Sequence, residues 1–199
     1  MTNNFEQIRD LLKFEEDYFY FIQIIQRSKE TPDLGSSNRV IRSYNISSLE
    51  KFDKNKDEMI KLCEAFDARA YIHLNRRKWS KIALECLRHN AELIANGQYE
   101  GIKSSFETTI GRNNSEPAES RTWIVDIDTK DELVVHRIVH IIDTSMKPDG
   151  PKLLSCIPTK NGYHLITKKF DAMSFHKYLS LQGDVPDIHK DNPTILYAI

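Results

Sequence analysis

The segment Trp123-Ile124-Val125-Asp126-Ile127-Asp128-Thr129 constrains this chain more than any other, because it is an apolar strand that ends in carboxylates. Trp123, Ile124 and Val125 are aromatic or β-branched, the residue types that fill a buried pleated strand. Side chains alternate across a strand, so Asp126 and Asp128 share one face, about 7 Å apart at roughly 3.3 Å per residue. Ile127 points the other way. Ionised carboxylates that close repel each other unless a proton or a cation lies between them, and hard oxygen ligands favour Mg2+ or Mn2+. A strand end dipping into a polar turn carries the same residues, so the pair needs further signals before it implies chemistry.

At 199 residues with 40% apolar content, the chain is expected to form a single domain with a real core. Its 28 basic and 29 acidic residues leave a net charge of −1, so a nucleic-acid site has to come from local clustering. Cys63, Cys86 and Cys156 are widely spaced and odd in number, which argues for a reducing compartment, for buried free thiols and against a zinc ribbon. The first residues carry neither a basic nor an apolar leader, and no window of about 18 residues is uncharged and apolar. The expectation is a soluble, cytoplasmic protein.

Along the chain, apolar patterning places strands near 18–25, 39–44, 70–74, 121–128, 152–158 and 162–167. The polar segment 26–38 reads as a loop, and Arg27, Lys29, Arg39 and Arg42 beside it are candidate phosphate contacts. Ser47 or Ser48 caps an amphipathic helix running to Phe66, and a second helix spans 82–94 with Ser80 or Asn75 as its cap. Arg76, Arg77 and Lys78 stand at that second helix start, where exposed N–H groups and the helix dipole favour anions, so they are candidate phosphate or nucleic-acid ligands. His73 reads as a core histidine. Residues 130–144 form a crossover helix after the aspartate strand, making a β-α-β unit with the strand at 152–157. This order implies an α/β (α+β) fold: a mixed central sheet with flanking helices.

The strand at 152–158 returns through Thr159-Lys160-Asn161-Gly162-Tyr163-His164. Asn-Gly is a tight-hairpin signal, and the exposed N–H groups of such a turn, with Thr159, Lys160 and His164, suit phosphate oxygens. A strand ending in Asp-x-Asp, a crossover helix and then Thr-x-x-Gly-Tyr-His resembles the first two motifs of the archaeo-eukaryotic primase superfamily, in its primase-polymerase branch. That family's third motif is a strand-borne Asp, often followed by Asn-Pro, and Asp187 ahead of Asn192-Pro193 matches it. The match covers 121–199, whereas 1–120 offers a compatible α/β pattern. One departure stands out: Thr194-Ile195-Leu196-Tyr197 follows Asn192-Pro193, where family members commonly carry a basic residue and a Pro-Gly-Thr-like stretch.

The resemblance implies a primase-polymerase (RRM-like) catalytic core over 121–199 joined to an N-terminal α/β portion over 1–120. Asp126, Asp128 and Asp187 are then the metal ligands for Mg2+ or Mn2+, and His164 donates to the incoming triphosphate. Thr159, Lys160, Asn161 and Gly162 assist in substrate binding. Implied partners are nucleoside triphosphates, single-stranded nucleic acid and proteins of replication or mobile elements; no membrane is involved. Two alternatives use the same residues: a catalytically silent relative that binds nucleotide or nucleic acid, and a metal-dependent nuclease or phosphatase.

Overall fold

The computed structural model describes residues 1–31, 35–181 and 185–199, so residues 32–34 of the expected 26–38 loop lie outside the described residues. In the first half, β1 (Thr2–Asn3) and α1 (Phe5–Arg9) precede β2 (Tyr18–Gln26), β3 (Arg39–Ile46), α2 (Leu49–Phe66) and β4 (Arg69–Lys78). Then come α3 (Trp79–Ala95), a 3₁₀ turn over Tyr99–Ser104, and α4 (Ser105–Arg112). The second half runs β5 (Thr122–Ile127), α5 (Glu132–Ser145), β6 (Leu153–Pro158), β7 (Tyr163–Lys168), α6 (Ala172–Ser180), β8 (Asp187–His189) and β9 (Thr194–Ala198).

The α+β class holds, but the expected single mixed sheet is two sheets, and every paired strand in both is antiparallel. One has the order β1-β9-β4-β2-β3, the other β6-β7-β5-β8. The reason lies in the turn at Thr159–Gly162, which folds β7 back into the place between β5 and β6. Those strands run parallel, as a β-α-β unit requires, yet never touch. Residues 122–189 therefore follow a β-α-β-β-α-β path, the split β-α-β arrangement of RRM-like and ferredoxin-like folds. β9 lies beyond the expected boundary at residue 120, yet it completes the sheet of the N-terminal strands.

Strand periodicity decides which way β5 faces. Trp123, Val125 and Ile127 pack with Val135, Ile138, Ile141 and Ile142 of α5 and Phe175 and Leu179 of α6. Ile124 points oppositely and, with Ile157 and Ile166, joins the core formed by the first sheet, α1 and α2. Burial of these aliphatic side chains stabilises at roughly 25 cal/mol per Å² of apolar surface. Helix ends are set as their sequences imply: Ser48 accepts from Lys51 N–H, Asp131 from Leu133 N–H, and Asp171 from Met173 and Ser174 N–H.

The start of α3 departs from expectation. Neither Asn75 nor Ser80 caps it, because β4 continues through Lys78. Asp17 instead accepts from Ser80 N–H at 3.1 Å and from its hydroxyl at 2.6 Å. Asn75 joins the sheets: its side chain accepts from Thr122 N–H at 2.8 Å and donates to the Thr122 and Lys190 carbonyls. Of the cysteines, Cys63 is buried, which pushes its thiol up to about 12, while Cys86 and Cys156 are half-buried; all three are free. Among the described residues no helix is long and apolar enough to cross a membrane.

Candidate functional site

Asp126 sits near the end of β5, directly opposite His164 of β7 on one side and Asp187 of β8 on the other. Opposed residues of an antiparallel pair share a face, and so do residues two apart on one strand. Asp126, His164, Asp187 and His189 therefore emerge on the same face of the sheet, and Asp128 follows just past the strand end. The side of the sheet toward the inter-sheet core is thus apolar at Ile124 and Ile166 and changes to carboxylate and imidazole as β5 ends.

The histidines lean on Asp126. His164 Nε2 lies 3.4 Å from Asp126 Oδ1, and His189 Nε2 lies 4.0 Å from Oδ2. Interaction with the nearby His164 imidazole holds the Asp126 carboxyl below the usual carboxylate range, against an opposing effect of partial burial, with the His189 charge adding to it. The other ring nitrogen of His164, Nδ1, is 2.9 Å from the buried Thr194 hydroxyl, which fixes that end of the imidazole. Asp128 and Asp187 are exposed. All three aspartates line one cavity of about 600 Å³, with Arg137 of α5 on its wall.

These carboxylates suit a hard divalent cation by donor type and by placement. Asp126 and Asp187 occupy opposed register positions, whose Cβ atoms lie about 4.5–5.5 Å apart in an antiparallel pair, so side-chain rotation can bring both to one ion. In the present rotamers, among the described residues, no three His, Cys, Asp or Glu side chains converge on a metal position.

The turn before His164 has a structural as well as a polar role. The Thr159 hydroxyl accepts from Gly162 N–H at 3.0 Å, and Thr159 N–H donates to the Gly162 carbonyl at 2.9 Å. Thr159, Lys160 and Asn161 line a second cavity of about 570 Å³ together with Asp126, Asp128 and His164. Gly162 is not part of that lining. A Cβ there would lie 1.8 Å from the Ile127 carbonyl oxygen and 2.8 Å from Thr129 N, so this glycine lets the turn rest directly on the backbone between the two aspartates.

Arg76, Arg77 and Lys78 are brought elsewhere, which corrects their assignment as substrate ligands. Arg76 is a buried strand residue whose guanidinium grips Glu116 through two bonds of 2.8 Å and reaches Glu15 at 2.9 Å. Arg77 is fully buried; it donates to the Ile110 and Asn75 carbonyls and pairs with Asp191 at 3.0 Å. Lys78 stands over the Tyr18 ring and 3.9 Å from Asp17. What reads as a basic turn is a strand whose two arginines are already matched, while Lys78 stays part-exposed. His73 is the core histidine expected: it stacks on Phe21, and burial lowers it to about 4, reinforced by the Arg77 charge.

Sequence reasoning missed His189, Thr194, Arg69 and Tyr71, all beside the site. The first was within reach, since Asp187-x-His189 repeats the one-face spacing of Asp126-x-Asp128. The others had no local signal. No protein-family model matches this chain, and neither a curated protein nor a solved structure does.

Proposed function

We propose that the protein is a metal-dependent nucleotidyltransferase of primase-polymerase type that extends or primes nucleic acid from nucleoside triphosphates. One observation carries the reading: Asp126, of the resemblance's first motif, lies in register between His164 of the second and Asp187 of the third. Sequence-distant residues gathered on one strand end are what a shared substrate requires, and a merely structural hairpin gives no reason for it.

Asp126, Asp128 and Asp187 would hold Mg2+ or Mn2+, which supplies charge neutralisation at the phosphates and alignment of the attacking hydroxyl. His164 Nε2, 3.4 Å from Asp126, is the group that would donate to a phosphate oxygen. Thr194 keeps that ring oriented. Lys160 adds a positive charge from the turn, and Asn161 a neutral donor. No protein nucleophile is needed, because the attacking group belongs to the nucleic acid. Three free thiols fit a reducing, cytoplasmic setting. Single-stranded nucleic acid and replication or mobile-element proteins are the partners this reading implies.

The silent alternative, a relative that binds nucleotide without turning it over, is favoured by one specific feature. Thr194, which follows Asn192-Pro193, is buried and neutral where the resemblance leads one to expect a cation. Incubation with Mn2+, a single-stranded template and labelled nucleotides separates the two. Primer extension is expected, and Asp187→Asn should reduce it roughly a hundredfold or more. Triphosphate binding with no extension would establish the silent form, and the loss of both would remove the assignment.

A further inference from the structure

The cleft beside Asp126 has a second wall that this chemistry leaves unused. Arg27, just past the end of β2, and Arg69 and Tyr71 of β4 line the same cavity as Asp126, Asp128, Lys160 and His164. Arg69 is the telling member, since its side chain is only 11% exposed and Glu30 is its ion-pair partner. The same Glu30 oxygen accepts from Arg27 at 3.4 Å. A smaller adjoining cavity of about 290 Å³ is lined by Glu30, Asp67, Arg69 and Lys160 together. One carboxylate oxygen is thus shared by two guanidinium groups, with a lysine bordering the same space.

Burying a guanidinium is costly unless its N–H groups are matched, and its planar fork matches carboxylate and phosphate equally well. Arg27 and Arg69 converge on a single Glu30 oxygen and Lys160 borders the same spaces, whose lining also carries Asp67, Asp126 and Asp128, so the local feature is one acceptor shared by two forks. We propose that Arg27, Arg69 and Lys160 form a phosphate subsite in which Glu30 is an internal stand-in that an entering phosphate must displace. The inference rests on the reading of this cleft as a nucleotide site and adds selectivity to it. A multiply charged phosphate chain outcompetes a single carboxylate, whereas a monoanion does not. Two sources share that chemistry: the tail of a nucleoside triphosphate and the backbone of a single strand.

The test is made in EDTA, so that neither metal nor transfer chemistry contributes. Inorganic tripolyphosphate and a fluorescent oligothymidylate are titrated separately at one fixed ionic strength. Glu30→Gln keeps an acceptor for Arg69 and removes the competing charge, so at least one ligand should bind about tenfold more tightly. Tightening for tripolyphosphate alone assigns the subsite to the triphosphate tail, and for the oligonucleotide alone to the strand backbone. Combining Glu30→Gln with Arg27→Gln and Lys160→Gln should abolish the gain, and Glu100→Gln, an equal charge change outside the cleft, should give none. Unchanged affinities in Glu30→Gln, or the same gain in all backgrounds, overturn the proposal. If Glu30→Gln does not fold, Arg69→Lys serves instead: it keeps the charge but loses the fork and should weaken binding, and unchanged affinity there is equally fatal. A protein that gains affinity in Glu30→Gln yet extends no primer retains the subsite and loses the transferase reading; one that extends primers without the gain retains the transferase reading and loses the subsite.

Discussion

Gly162 shows how one missing Cβ positions the strand that bears the candidate site. The atoms that an added methyl would strike are the Ile127 carbonyl and the Thr129 nitrogen, which are backbone and cannot swing aside. Gly162→Ala is therefore expected to destabilise the protein by about 3 kcal/mol or more, read by urea unfolding. A loss under about 0.5 kcal/mol would mean that the turn does not rest on β5 as described. His73 gives a pH-dependent counterpart. Its folded value of about 4 is below the ~6.5 of an unfolded histidine, so between those values the unfolded chain binds more protons and stability rises with pH. The contribution is complete above about pH 6.5, and on the order of 3 kcal/mol is lost on descending to pH 4. His73→Gln should flatten that part of the stability profile; an identical slope in wild type and variant would assign the dependence to other groups.

Among elements, the connection from β8 to β9 matters most, because it carries Asp187 and His189 from one sheet and Thr194 into the other. Arg77 of β4 anchors it through Asp191, aided by Asn75 donating to the Lys190 carbonyl. Asp191→Ala leaves a fully buried guanidinium without its charge partner, and a cost of about 3–5 kcal/mol is expected. If the proposed metal site is right, Mn2+ affinity should fall in the same variant, since β8 loses its tether; calorimetry showing destabilisation with unaltered Mn2+ binding would confine the role of Arg77 to stability. The Arg76–Glu116 pair is comparable in burial but lies away from the aspartates. Glu116→Ala should lower stability without altering nucleotide affinity in whatever fraction stays folded.

At the scale of the whole molecule, the two sheets are held by residues remote in sequence. Asn4, just after β1, donates to the Pro158 carbonyl of one sheet and the Ile195 carbonyl of the other. β9 is buried along its length and bonds to β4 and β1 at once. A chain ending at Pro193 should therefore lose cooperative unfolding altogether, since both β1 and β4 would gain an unpaired edge and Ile195, Leu196 and Tyr197 would leave the core. Circular dichroism with a sharp thermal transition for that truncation would show that the first sheet does not depend on β9.

The strands at 18–26 and 122–127, the helix capped by Ser48 and the strand–helix alternation after Asp128 were legible because their causes are local: β-branched runs, helical apolar spacing and a capping hydroxyl. Strand geometry put Asp126 and Asp128 on one face, but β5 ends at Ile127, so Asp128 lies beyond the strand and shares with Asp126 only the lining of the same cavities. Position in the sheet was not legible. That β7 lies between β5 and β6, that β9 rejoins the N-terminal strands, and that Asp187 comes opposite Asp126 depend on long-range pairing, which no window of sequence encodes. Arg76 and Arg77 make the same division at the charge level. Sequence shows two cations beside a helix start, and only tertiary structure brings Glu116 and Asp191 to meet them, because an ion pair is defined by distance in space and not along the chain.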